Sequence, residues 1–290
     1  MAAYLMHLAI LAGIYIILTV SLNLIIGYAG QVSLGHAAFY GIGAYASALS
    51  ALNLHFPFPA AAVSGMLVAG GCGLALGLPT LRLKEDYLAV VTLGFGVILG
   101  LVFLNLEITG GPDGLAGIPS PNFFGLSFRP ASRYLIIVAV AVAFVLLLTY
   151  RLVDSYHGRA LKAIRDHEIT AQVMGINTPG YKILIFTLAA ALAGLAGSLY
   201  AHYITFINPE TFGLHTSILI LAMVVLGGMG SLAGSVAGAV ILTALPELLR
   251  QAHGYQDLVY GALLVGLLIW RPQGLLGRGK LSLKFLQREG

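Results

Sequence analysis

Three stretches of this sequence carry residue types that enzymes use for chemistry. Gly274-Leu-Leu-Gly-Arg-Gly279-Lys280 has the glycines and lysine of a phosphate-binding loop, but position 281 is Leu. A phosphate cradle needs a leading strand, a following helix and a hydroxyl for magnesium, so the stretch reads as a Gly-broken exit from an apolar segment. His167-Glu168 opens like the zinc-binding HExxH pattern, yet Ala171 stands where the second histidine belongs, and one imidazole does not make a zinc site. Gly41-Ile-Gly43 and Gly94-Phe-Gly96 are too short to hold a dinucleotide, and among 37 glycines such coincidences are expected. No catalytic constellation and no metal-ligand set emerges. The expectation is a non-enzyme that binds no cofactor of its own.

Residues Asn23 to Gly41 offer a different chemistry. Asn23, Tyr28, Gln31, Ser33 and His36 surround Gly27, Gly30 and Gly35 between two apolar runs. Polar, irregular backbone at membrane depth is tolerated only where protein or a water-filled cavity surrounds it. Two readings stay open: a turn at the cytoplasmic surface, or a broken helix lining a translocation path. A proton-driven carrier also needs intramembrane carboxylates or histidines as a relay. Here Glu107 and Glu247 sit near segment ends and Asp257 opens the last segment. That scarcity argues that energy enters from elsewhere, against a self-sufficient channel or secondary carrier.

These residues are positioned by an unusually apolar chain. Apolar residues make up 59% and charged residues 9%, far below the roughly 25% charge of a soluble domain. No Lys, Arg, Asp or Glu precedes Arg82, and since a span takes about 20 residues this stretch alone must cross a bilayer more than once. The runs are continuous rather than alternating, so the fold class is all-α, a polytopic transmembrane helical bundle, and not a barrel. The start lacks a basic n-region and leads straight into further apolar sequence, so it reads as a span and not a cleaved signal. Segments fall near 5–27, 37–52, 59–81, 87–106, 133–151, 183–206, 215–228, 232–249 and 256–270. The second and seventh are short enough to be re-entrant, giving 8–9 membrane segments in one membrane domain, 1–290.

Orientation follows from the basic residues. With the N-terminus outside, the inner loops are 28–36, 82–86, 152–182 and 229–231, together with a basic cytoplasmic tail, 271–290. Only Arg129, Arg133 and Arg250 of the 15 Lys and Arg then lie outside, as the positive-inside rule requires. The net charge of +4 therefore belongs to topology and to anionic lipid, not to nucleic acid. Cys72, the single cysteine, lies among Gly and Leu in a predicted span and reads as a small packing residue.

The loop 152–182 is the longest inner connection. Arg159 to Met174 reads as one helix ended by Gly175 and then Pro179, with Leu161, Ile164, Ala171 and Met174 on one stripe and Arg159, Lys162, Arg165 and Asp166 mostly off it. Gly230, Gly234 and Gly238 form two GxxxG steps, and Gly73–Gly77 and Gly96–Gly100 form single ones. In lipid that spacing lets helix backbones approach closely. Packing within the chain is favoured over a subunit interface.

Four stretches together carry a family likeness: Leu22 to Leu49, Gly110-Gly-Pro-Asp-Gly114 with Gly117-Ile-Pro119, Gly158 to Asn177, and Gly227-Gly-Met-Gly-Ser-Leu-Ala-Gly234. The chain resembles the permease subunits of branched-chain amino acid ABC importers, of the LivM type. The resemblance implies a bacterial inner-membrane protein paired with a second, similar permease. It also implies two cytoplasmic ATPases that use ATP and Mg, and a periplasmic binding protein that delivers leucine, isoleucine or valine. Loop 152–182 would hold the coupling helix that docks into an ATPase, with Arg159, Lys162, Arg165, Asp166, Glu168, Ala171, Met174 and Gly175 as its contacts. The family signature has two alanines after a glutamate; here Glu168-Ile-Thr-Ala171 departs from it. A urea or short-amide importer permease is the alternative within the same class.

Overall fold

The fold is described from a computed structural model for residues 2–80, 85–123, 126–128, 130–248, 261, 266 and 274–276. Among the described residues it is carried by α1 (Ala2–Asn23), α2 (His36–Asn53), α3 (Phe58–Thr80), α4 (Glu85–Asn105), α5 (Ala131–Asp154), α6 (Tyr156–Asp166), α7 (Glu168–Val173), α8 (Thr178–Ile204), α9 (Leu214–Gly227) and α10 (Leu232–Leu248). Two-residue strands occur only in connections: β1 (Leu115–Ala116), β2 (Asn122–Phe123), β3 (Leu126–Ser127) and β4 (Phe206–Ile207). β1 pairs antiparallel with β4, fastening the 106–130 connection to the end of α8.

Among the described residues, six helices are long and apolar enough to cross a membrane: Tyr4–Tyr28, Phe58–Pro79, Tyr87–Asn105, Ala131–Asp154, Thr178–Ile204 and Pro209–Gly227. The expected segment 37–52 is helical as α2, but it is not among the six. Segment 232–249 is the shorter apolar helix α10, and 256–270 lies outside the described residues, as does most of the tail. Segment 183–206 is longer than its apolar run: Asn177 caps α8 by accepting from the Gly180 N–H, and Pro179 sits in its first turn. Pro179 therefore starts a helix instead of ending one, because a missing N–H costs nothing there.

α2 lies at the centre, enclosed by α3, α8, α9 and α4. A helix buried all round cannot be amphipathic, and α2 is instead small-sided. Gly43 faces the backbone of Gly194, Gly65 faces Ser198, and a Cβ at Gly197 would collide with the Tyr40 carbonyl. Between helices in lipid, such close approach is the main source of cohesion. Aromatic rings fill one end of this packing, where Phe212 stacks edge-on against both Tyr40 and Tyr45. α4 and α5, by contrast, turn most of their apolar length outward, which a hydrocarbon solvent accepts without penalty.

Candidate functional site

α1 does not end cleanly. From Leu24 to Tyr28 it widens into a buried π-helical turn, the kind of defect that frees backbone groups for other partners. The chain then reverses at Gly30, whose φ of +73° suits glycine, and runs without helical structure to Gly35. The freed carbonyl of Gly27 accepts from Arg165 Nη1 at 2.5 Å.

Depth follows from partners. His36 Nε2 meets Ser21 Oγ at 2.8 Å, and Ser21 lies roughly 10 Å back along α1 from Tyr28 at the usual helical rise. The Ala37 N–H donates to Ser217 Oγ at 3.1 Å and the Leu34 N–H to Thr92 Oγ1 at 3.0 Å. Ser217 belongs to the span ending at Gly227 and is roughly 15 Å from that end. α2 thus begins in the middle of the bundle. The segment therefore runs from the surface, where Val32 is exposed, into the bundle, where Ser33 and His36 are buried.

Asn23 and Gln31, Ser33 and His36 are all buried. Asn23 bridges to the α9–α10 turn: its Nδ2 donates to the Ser231 carbonyl at 3.1 Å, and its Oδ1 accepts from the Gly230 N–H at 2.8 Å. It is a structural tie and not an open contact. Ser21 Oγ already donates to the Leu18 carbonyl at 2.9 Å, so it accepts from His36, whose Nε2 carries the proton. His36 Nδ1 is then a bare acceptor. It joins Gln31 Oε1 and Ser33 Oγ as buried side-chain atoms without a hydrogen-bond partner among the described residues. Tyr28 is buried, with Lys162 Nζ 5.9 Å from the centre of its ring.

Loop 152–182 holds two helices where one was expected. His167 is extended (φ −154°, ψ 92°), so α7 restarts with its own phase. Leu161, Ile164 and Ala171 are buried as expected, but Met174 is not: it is 78% exposed, beside Ile169 at 79% and Val173 at 81%. The break lets Glu168 reach Lys182 of α8 at 2.6 Å, while Gln172 Nε2 donates to Thr178 Oγ1 at 2.8 Å. Glu168 is therefore a strut to α8. Gly175, at φ +82°, ends α7, with the Ile176 N–H returning to the Ala171 carbonyl at 3.0 Å. Arg159, Lys162, Arg165 and Asp166 stay on the exposed side of α6. The exposed pair Ile169 and Val173 escaped the sequence reading, because a single helical phase was carried across His167.

Gly234 and Gly238 pack on the backbone of Gly227 and Met223 in α9, while Gly230 sits in the turn at φ +80° beside Gly27. A buried, broken helix inside a bundle of helices long and apolar enough to cross a membrane is the architecture of a multi-pass membrane protein. A family model described as "Branched-chain amino acid transport system / permease component" matches residues 4–268. The chain belongs to this branched-chain amino acid transport permease family. It is 40% identical over 98% of its length to the high-affinity branched-chain amino acid transport system permease protein LivM of Salmonella typhimurium, covering 73% of that protein. It is 26% identical to LivH of Escherichia coli, covering 94% of each chain. It is also 30% identical over 76% of its length to the autoinducer 2 import system permease protein LsrC of Yersinia enterocolitica, covering 62% of that protein.

Proposed function

We propose that this chain is a membrane-spanning permease subunit of an ATP-binding-cassette importer for leucine, isoleucine and valine. The observation that carries this is the 40% identity to LivM along nearly the whole chain. A second permease of the same family is its partner in the membrane, an idea supported by the weaker full-length likeness to LivH. Two cytoplasmic ATPases hydrolyse ATP with Mg, and a periplasmic binding protein delivers substrate. The chain works as one permease domain in the bacterial inner membrane, N-terminus periplasmic and C-terminus cytoplasmic, with tail 271–290 against anionic lipid. ATP binding closes the ATPase pair, the hairpin of loop 152–182 moves with it, and the two permeases rock so that a central path faces first out and then in. Substrate drives this only through different affinity for the two states.

Within this reading, Ile169, Val173 and Met174 form the apolar contact of the coupling hairpin with an ATPase. Exposed apolar side chains clustered on a polar loop are a recognised mark of a protein contact. Tyr28, Gln31, Ser33 and His36 belong to the inner half of the path, with Asn23 holding the break in place behind them, and the bare acceptors Gln31 Oε1 and His36 Nδ1 suit an ammonium donor. Purification in mild detergent tests the assembly: ATPases and a second permease should co-elute with ATPase activity. Val173→Asp with Met174→Glu should strip the ATPases from the eluate, and uptake should fall with them. In vesicles, leucine, isoleucine and valine should compete for uptake while urea and acetamide do not. Elution of the chain alone in several detergents would sink the importer reading.

A further inference from the structure

We propose that Arg165 is a positioning residue that latches the broken end of α1 to the coupling hairpin, holding the segment Gln31 to His36 closed. The proposal rests on the importer reading and adds the element through which a movement of α7 reaches the inside of the bundle. Arg165 Nη1 donates to the Gly27 carbonyl at 2.5 Å, an acceptor in the π turn. Its aliphatic stem lies across Gly30, where any Cβ would press on it, and its guanidinium lies beside Gly230. One side chain thus touches the π turn, the chain reversal and the α9–α10 turn. Its Nε and Nη2 face Asp166 Oδ1 at 3.3 Å, which steadies the plane of the guanidinium. Leu161 and Ile164 anchor α6 in the core, so α6 moves as a body with the π turn. Just across the break at His167, the Lys182–Glu168 pair ties the start of α7 to the base of α8. With the latch closed, Gln31, Ser33 and His36 keep buried polar atoms without partners. Such atoms favour any state that gives them water or a ligand, so something must hold them in. A charged donor on a π-turn carbonyl is a contact strong enough to do that.

The test reads the exposure of Ser33, which is 1% exposed. Ser33→Cys is made in a Cys72→Ser background, and inside-out vesicles carrying the full chain with its partner subunits are treated with a small water-soluble methanethiosulfonate. With Arg165 present and no ATP, the thiol should be protected. Arg165→Gln should speed labelling by about tenfold, the scale expected for loss of one charge-assisted hydrogen bond. Arg165→Lys, which keeps a charged donor, should restore most of the protection. A Ser198→Cys probe, buried in α8 away from the break, should stay protected in every variant. Equal protection of Ser33→Cys with and without Arg165 overturns the latch, and so does parallel unmasking of Ser198→Cys, which means general loosening. Failure of the wild-type transporter to take up branched-chain amino acids with ATP overturns the functional reading instead, and the labelling comparison still decides the latch.

Discussion

Asn23→Leu is the sharpest test of how the broken helix is held. The side chain is fully buried and joins the end of α1 to the α9–α10 turn through both ends of its amide. Leucine keeps the volume and removes both bonds. The two losses are unequal. The Ser231 carbonyl still accepts from the Ser235 N–H at 3.0 Å and from Ser235 Oγ at 3.1 Å, so it is not orphaned. Its share is the net worth of one interhelical bond in a bilayer, about 0.6 kcal/mol on average. The half-buried Gly230 N–H loses the side-chain acceptor that holds it, a loss of about 1–2 kcal/mol, in the lower part of the range for an unpaired buried donor. Together the expected destabilisation is about 1.5–2.5 kcal/mol. Unfolding by sodium dodecyl sulfate in mixed micelles, followed by far-ultraviolet circular dichroism, reads this directly. A change below about 0.5 kcal/mol, the size of an ordinary surface substitution, would refute the claim that Asn23 ties the two elements.

Other outcomes follow from the same packing. Gly197→Ala sets a methyl against the Tyr40 carbonyl and the Ala44 N–H; overpacking of about 1–3 kcal/mol is expected, seen as lost monodisperse yield in gel filtration. Gly71→Ala, which meets open space, should leave the yield unchanged. Lys182→Met should destabilise by about 3 kcal/mol or somewhat less, because it strands the half-buried Glu168 carboxylate. The double variant Lys182→Met with Glu168→Gln should recover most of that loss in the same unfolding assay.

The sequence by itself determined the solvent of this protein and most of its spans. The charge-free run before Arg82 admits nothing but membrane helices, and that conclusion needs no tertiary contact because hydrocarbon punishes every unpaired backbone group. The polar cluster from Asn23 to His36 was legible for the same reason: those residue types are costly at that depth unless enclosed. Its geometry was not legible. Whether 30–35 was a surface turn or re-entered the bundle depended on Ser21, Thr92 and Ser217, partners up to 180 residues away. Likewise, the exposed trio Ile169, Val173 and Met174 exists because His167 resets the helical phase and Lys182 of α8 pulls Glu168 toward it. Periodicity assumes an unbroken helix, and only the packing of α7 on α8 decides where that assumption stops. Local sequence sets which groups must be buried or satisfied; the fold alone decides which distant group satisfies them.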